Sequence, residues 1–350
     1  MAKKQVQEQV SALQVLKSEI REKRPQRLYF FYGEETFLLH YYLEQLRKLL
    51  IDEVTESFNF HKLTSETFDI QSFADAVENL PMMADTTMVL VDDFDIFKLH
   101  ENDREELIRI LSDIPDYCTV VFAYETVTWK PDGRLKKLAD TVERYGTAVE
   151  FPKQQLRDLV AWTMRHFAAN KKKISQELCA YLIDITDGTM TALAGEISKI
   201  CAFSGADEIC KADIDAVVEP VLDAVVYQMT ECLAQGNHGA ALLKLQQLLK
   251  MQQEPLGILG AIGSHFRKMG VARILLDNGK NAEDLMRLTG IKDYPARKTI
   301  AAARRFSARF YKRVAELVLE TDRGMKTSYD DPHRLLEVLL MDIAREAQHD

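Results

Sequence analysis

The chain changes its hydrophobic period near its middle. In the first part, short runs that are apolar at every position alternate with stretches in which apolar residues recur every three or four positions. Leu28-Tyr29-Phe30-Phe31-Tyr32 ends at Gly33 and is followed by Phe37, Leu38, Tyr41, Leu43, Leu46, Leu49 and Leu50, which predicts a buried strand, a turn and a helix. Residues 58–63 alternate as a strand does, and 70–80 carry a helical period. Thr87-Met88-Val89-Leu90-Val91 predicts a second buried strand, ending in Asp92-Asp93; 104–111 predict a helix, and Cys118-Thr119-Val120-Val121-Phe122-Ala123 a third buried strand. Strands buried on both faces and separated by helices predict a mainly parallel α/β sheet.

After Phe151-Pro152 the strand signals nearly stop. Helices are predicted over 156–169, from Ser175-Gln176-Glu177 to near Asp187-Gly188, over 191–203 and over 212–218, a small helical domain. Longer helices over 223–234, 238–251, 255–276, 295–305, 307–321 and 332–346 predict a terminal bundle. The fold class read here is α/β followed by all-α, with domains at 1–151, 152–221 and 222–350. No internal repeat or low-complexity tract interrupts this order.

Composition excludes several classes. At 350 residues, 47% hydrophobic and 28% charged, with a net charge of −9, the chain is ordinary for a folded protein and not for a disordered one. No apolar run reaches the ~18 residues of a membrane span, and the amphipathic, charged N-terminus lacks a signal-peptide core, so a cytoplasmic protein without membrane contact is expected. The five cysteines Cys118, Cys179, Cys201, Cys210 and Cys232 show no Cys-x-x-Cys spacing and are expected to be buried small hydrophobes. The histidines form no zinc pattern and no nucleophile elbow is present; neither catalytic nor metal-binding residues are predicted.

Four stretches carry candidate chemistry. A parallel domain would hold phosphate at the junction of the first strand and helix, where backbone N–H groups face an anion. A phosphate loop needs Gly-x-x-x-x-Gly-Lys-Ser/Thr, whereas Gly33-Glu34-Glu35-Thr36-Phe37-Leu38-Leu39 has no second glycine, no lysine and two carboxylates. A ligand-free turn is expected, and no cofactor. Asp92, Asp93 and Asp95 stand where nucleotide-binding sheets place an acidic strand end; without a phosphate loop, solvated or capping roles are expected. Leu80-Pro81-Met82-Met83-Ala84-Asp85 puts two adjacent methionines in a connection normally made of polar residues. Either both fold back onto the core, or a stiffened, adaptable apolar pair forms a protein-binding wedge. From Lys292 to Arg313 eight basic residues (Lys292, Arg297, Lys298, Arg304, Arg305, Arg309, Lys312, Arg313) face one acidic, Asp293, which suggests a phosphate-bearing partner or a solvated face. Phe306, Phe310 and Tyr311 follow helical spacing there, as core residues do. Gly257, Gly260 and Gly263 are three apart and suggest close helix packing.

The order of these parts resembles the delta-subunit family of the bacterial DNA polymerase III clamp loader. The resemblance rests on the strand-Gly-Glu-Glu-x-Phe-Leu-Leu start at residues 32–39, Leu-Pro-Met-Met-Ala-Asp before an apolar strand, the three-helix middle, Asp-x-x-x-Lys-Thr at 322–327 and Asp331-Pro332-x-x-Leu335-Leu336-Glu337. It implies an AAA+-like domain without a P-loop, a small helical lid domain and a helical collar domain for oligomerisation. It also implies a subunit that does not hydrolyse ATP, has no independent catalytic activity, and binds and opens the ring-shaped sliding clamp. Leu80, Pro81, Met82 and Met83 inherit the clamp-binding role. Many relatives carry aromatic or leucine side chains in the wedge and a basic pair in place of Thr86-Thr87. The implied partners are the sliding clamp, loader subunits of the gamma/tau and delta-prime types, and primer-template DNA. Arg297, Lys298, Arg304, Arg305 and Arg309 are candidates for DNA or subunit contact. Two other readings are a nucleotide hydrolase with an atypical phosphate loop and a nucleic-acid-binding module acting alone; the missing lysine near Gly33 opposes the first and the net charge of −9 the second.

Overall fold

Each apolar run of the first part is a strand of one sheet. The computed structural model describes residues 11–250, 253–289 and 293–350. Its strands are β1 (Leu28–Tyr32), β2 (Phe60–Thr64), β3 (Thr87–Asp92), β4 (Cys118–Tyr124) and β5 (Thr147–Glu150), in the order β2-β3-β4-β1-β5. All neighbours are parallel, with Phe30 opposite both Phe122 and Ala148, and Val89 opposite both His61 and Val120.

Helices cover both faces, and the period-two alternation of each strand divides its side chains between them. Leu28, Phe30, Val89, Val91, Val120 and Phe122 pack against α4 (Ile70–Glu78), α5 (Glu101–Ser112) and α6 (Lys136–Tyr145). Tyr29, Phe31, Met88, Leu90, Val121 and Val149 face α1 (Ala12–Glu22) and α2 (Thr36–Leu50). Burying such side chains is worth about 1.5–3 kcal/mol each. The first helix lies in the charged N-terminal stretch; it is bound to the sheet by Tyr29, whose hydroxyl donates to Glu19 Oε2 at 2.8 Å.

Several details depart from the sequence reading, among them helices over Ala12–Glu22 and Ala282–Thr289 that it did not include. The fifth strand was not predicted, since of its four residues only Val149 is buried. Phe58 and Asn59, read as the start of a strand, belong to the helical turn α3 (Glu56–Asn59), and β2 begins at Phe60. α6 follows a loop with weak signals and was not anticipated.

The chain divides into two compact units, one extending to Gln155 and including Thr189–Thr191, the other comprising Leu156–Gly188 and Ala192–Asp350. From residue 156 on, the regular elements described are helices: α7 (Leu156–Ala169), α8 (Gln176–Ile185), α9 (Met190–Phe203), α10 (Lys211–Val217), α11 (Leu222–Ala234), α12 (His238–Lys250), α13 (Pro255–Asp277), α14 (Ala282–Thr289), α15 (Asp293–Ala303), α16 (Ala308–Thr327) and α17 (Pro332–His349). Side chains of the expected types cap several: Ser175 accepts from Leu178 N, Ser307 from Phe310 N, and Asp331, followed by Pro332, from His333 N. α11 to α17 share a core that includes Val225, Met229, Leu245, Ile262, Phe266, Phe310, Val314 and Leu339.

The glycine triplet is less uniform than its spacing suggested. A Cβ on Gly263 would stand 3.0 Å from Val318, but on Gly257 or Gly260 it would meet no described heavy atom within 4 Å. The cysteines also divide: Cys118 and Cys179 are buried, and burial pushes both thiols up to about 11, whereas Cys210 is exposed and precedes α10. No described helix is long and apolar enough to cross a membrane.

Candidate protein-interaction site

The C-terminal ends of parallel strands are where open α/β sheets usually hold ligands. Here the chain occupies that edge itself. Gly33 has φ +134°, and a Cβ on it would lie 2.3 Å from the Phe151 carbonyl oxygen. Glu35 N donates to the same oxygen at 3.0 Å, so the turn after β1 is pressed onto the chain beyond β5 instead of curving around an anion. Glu35 is buried. Gly33 therefore serves close backbone approach.

The acidic strand end is likewise engaged. Asp93 has φ +52°, and its carboxylate accepts from Glu125 N at 2.7 Å, Thr126 N at 2.9 Å, Thr126 Oγ1 at 3.0 Å and Val127 N at 3.2 Å. Burial alone would raise this carboxyl; the hydrogen bonds outweigh it and hold Asp93 below the ordinary carboxylate range. Asp92 pairs with Lys62 at 2.9 Å, and Asp95 caps a short turn through Phe97 N at 3.1 Å. Among the described residues no group of three or more His, Cys, Asp or Glu side chains could hold a metal ion.

The opposite edge of the sheet differs. The connection from α4 to β3 carries Leu80, 68% exposed, Met82, 51%, and Met83, 94%, with Pro81 half-buried between them. The two methionines thus do not fold back onto the core. Met83 adopts a left-handed backbone, φ +54°, uncommon for a residue with a side chain. The loop is anchored at two points. Asn59, fully buried at the end of α3, accepts from Met82 N at 2.8 Å and donates to Met82 O at 3.0 Å. Thr86 Oγ1 donates to the Leu50 carbonyl at the end of α2. Thr87 is buried as the first residue of β3, and its N–H donates to Tyr117 O at 2.8 Å. Thr86 and Thr87 therefore hold the loop and the strand. Asn59 escaped the sequence reading, because its partner is a backbone group 23 positions away.

The basic segment is divided by its surroundings. Lys298 on α15 reaches the Asp184 carboxylate of α8 at 2.6 and 2.8 Å and lies 3.8 Å from the Tyr227 ring centroid. Arg305 pairs with Glu231 at 2.8 Å, and Arg313 with Glu316 and Glu320 at 3.2 and 3.3 Å. Arg297 is exposed on α15. Arg304, Arg309 and Lys312 are exposed and form no ion pair with a described residue. Lys292 lies outside the described residues. Phe310 and Tyr311 are buried and Phe306 stacks on Phe310 at 4.2 Å, which makes these rings core, as their spacing indicated.

A five-stranded parallel α/β domain whose first turn is closed by its own backbone, an exposed apolar loop before β3 and a long helical continuation define an α/β protein with an all-helical second part. The family model for the DNA polymerase III delta subunit matches residues 29–151, and that for the delta subunit's C-terminal domain matches 223–343. The chain belongs to the DNA polymerase III delta-subunit family. DNA polymerase III subunit delta of Bacillus subtilis (strain 168) is 25% identical over 327 residues, covering 91% of this chain and 93% of that one. The solved structure of the Bacillus subtilis DNA clamp loader delta protein shares the fold, with a TM-score of 0.64 at 20% identity, over 95% of this chain and 99% of that one.

Proposed function

We propose that this chain binds the ring-shaped sliding clamp of its replication machinery through Leu80, Pro81, Met82 and Met83 and opens one interface of the ring for loading onto primed DNA. The observation that carries this reading is the pair of exposed methionines on a doubly anchored loop. Apolar side chains cost free energy in water, and a fixed loop that displays them is suited to a partner's pocket. To open the ring the loop must bind the open state more tightly than the closed one, since a ligand shifts an equilibrium only by its differential affinity. The energy of ATP would enter through other subunits. The closed turn at Gly33 supports a chain without independent catalysis, and it weighs against an atypical hydrolase.

In this reading residues 1–151 form the clamp-binding AAA+-like domain, 152–221 a lid and 222–350 a collar that assembles with loader subunits of the gamma/tau and delta-prime types in the cytoplasm. The ends of the two family matches, at 151 and 223, support these boundaries. Arg297, Lys298, Arg304, Arg305 and Arg309 are the candidates for contact with primer-template DNA or a neighbouring subunit, Arg304 and Arg309 being exposed and forming no ion pair with a described residue. Lys298 and Arg305 already have acidic partners in the helical unit.

The test is binding of the purified chain to its own sliding clamp without ATP, wild type against Met82→Ala/Met83→Ala. Central apolar anchors contribute about 2 kcal/mol or more each, so the double variant should bind at least tenfold more weakly. Equal binding would remove the wedge from this loop. No binding by the wild type would overturn the clamp reading, and steeply salt-dependent DNA binding by the chain alone would favour the nucleic-acid module.

A further inference from the structure

We infer that Asn59 is a positioning residue for the wedge: its buried side-chain amide holds the Met82 backbone in the one conformation that turns Met83 outward. The inference rests on the clamp reading above and concerns how the loop keeps its shape.

Asn59 is fully buried, so its amide must find partners within the protein. It finds both on one residue. Oδ1 accepts from Met82 N at 2.8 Å and Nδ2 donates to Met82 O at 3.0 Å. An amide side chain paired in this way replaces a neighbouring strand: it satisfies the donor and the acceptor of one peptide position and thereby restricts that residue's two backbone dihedrals. The effect falls on the next residue. Met83 has φ +54°, a region that non-glycine residues seldom occupy unless the surroundings impose it. With Met82 held on one side and Thr86 held by the Leu50 carbonyl on the other, Met83 occupies the short span between two fixed points.

Both anchors come from the stretch between the end of α2 and the start of β2, so the shape of the wedge is set by a part of the chain that contains none of the wedge residues. A loop fixed before the encounter loses less conformational freedom when it binds, which strengthens binding without any new interaction. Aspartate could not take the place of Asn59. It still accepts from Met82 N, but it has no donor for Met82 O and sets a carboxylate against that carbonyl. Leucine, of similar size, removes both bonds.

The experiment uses the full chain and the sliding clamp of the same organism. Clamp affinity, melting temperature and amide hydrogen exchange at Met82 and Met83 are measured for wild type, Asn59→Asp and Asn59→Leu, each also combined with Met83→Ala. With the Met83 side chain intact, both variants are expected to weaken clamp binding by about tenfold. Asn59→Leu should also speed exchange at Met82 by more than tenfold while leaving β3 protected, as local opening does. In the Met83→Ala background the loss of affinity should shrink to about twofold or less, because the Met83 side chain that these bonds turn outward is gone. If the loss is the same in both backgrounds, Asn59 acts through overall stability and the inference falls. It also falls if exchange speeds up and affinity does not change. Should Asn59→Leu fail to fold, Asn59→Asp carries the same comparison. A failure of the clamp reading is distinct: it appears as no clamp binding by the wild type, and a failure of the wedge assignment as Met82→Ala/Met83→Ala binding the clamp as well as wild type, whatever the exchange at Met82 shows.

Discussion

Two connections of the same sheet meet opposite fates. At the C-terminal edge, the turn after β1 closes on itself: Gly33 lies against the Phe151 carbonyl, and Asp93 binds four donors of the neighbouring loop. At the N-terminal edge, the turn before β3 points outward, with Met83 almost wholly exposed and its backbone held from behind by Asn59. A parallel sheet ordinarily keeps its chemistry at the first edge, where helix N-termini converge. In this chain that edge has become part of the packing, and the exposed apolar side chains of Leu80, Met82 and Met83 lie at the other. Fold alone therefore says little about where a protein acts.

The comparison is broken most directly at Gly33. A side chain there must adopt φ +134° and displace the Phe151 carbonyl, so Gly33→Val should destabilise the chain by about 3 kcal/mol or more, measured by denaturant unfolding. A stable Gly33→Val variant would mean that the turn is looser than its geometry indicates. Asp93 comes next. Asp93→Ala leaves the N–H groups of Glu125, Thr126 and Val127 without their acceptor and should cost about 1–3 kcal/mol. Because the Asp93 carboxyl titrates below its ordinary range in the folded chain, its contribution is fully present at neutral pH. It declines once the pH falls below about 4, where the unfolded chain takes up the proton, and it is lost as the pH passes below the native pKa. The stability gap between wild type and Asp93→Ala should narrow accordingly as the pH falls below about 4.

These two edges were not equally legible in the sequence. β1, β3 and β4 were plain because burial on both faces leaves a run without polar interruption, and the missing lysine after Gly33 was a direct absence. The adjacent methionines were visible as apolar residues where a turn should be polar. The device that holds them was not, since Asn59 sits in a stretch whose alternation from Phe58 to Leu63 reads as a strand, and its partner is fixed only by the tertiary fold. β5 was missed for a related reason: a four-residue edge strand with one buried side chain leaves little pattern. In the basic segment the sequence shows a cluster of cations but not the acids that neutralise some of them. Asp184 lies 114 positions from Lys298, and Glu231 lies 74 from Arg305.

That division sharpens the same contrast within the helical unit, at smaller magnitude. Lys298 is held by a carboxylate and an aromatic face, whereas Arg304 and Arg309 stand in solvent. Lys298→Met should lower stability by about 0.5–1 kcal/mol, and Arg304→Ala/Arg309→Ala should change it by less than about 0.5 kcal/mol. If the two arginines meet phosphates in an assembled loader, their removal should instead reduce the salt dependence of DNA binding, the slope falling by about one for each phosphate that is no longer neutralised.

The smallest effect on stability is expected where the effect on binding is largest. Met83 is 94% exposed, so its side chain gains almost nothing from burial in the free protein, and Met83→Ala should leave the unfolding free energy within about 0.5 kcal/mol of wild type. Alanine occupies the left-handed region no more readily than methionine does, so the substitution leaves the backbone requirement at φ +54° unchanged. A loss of clamp affinity in this variant would then belong to the interface and not to the fold. Gly33→Val predicts the reverse order, with stability lost first and binding lost only because the domain no longer holds its shape. Thermal melts and clamp titrations on the two variants side by side separate the cases, and a fall of several degrees for Met83→Ala would mean that the exposed loop supports the fold after all.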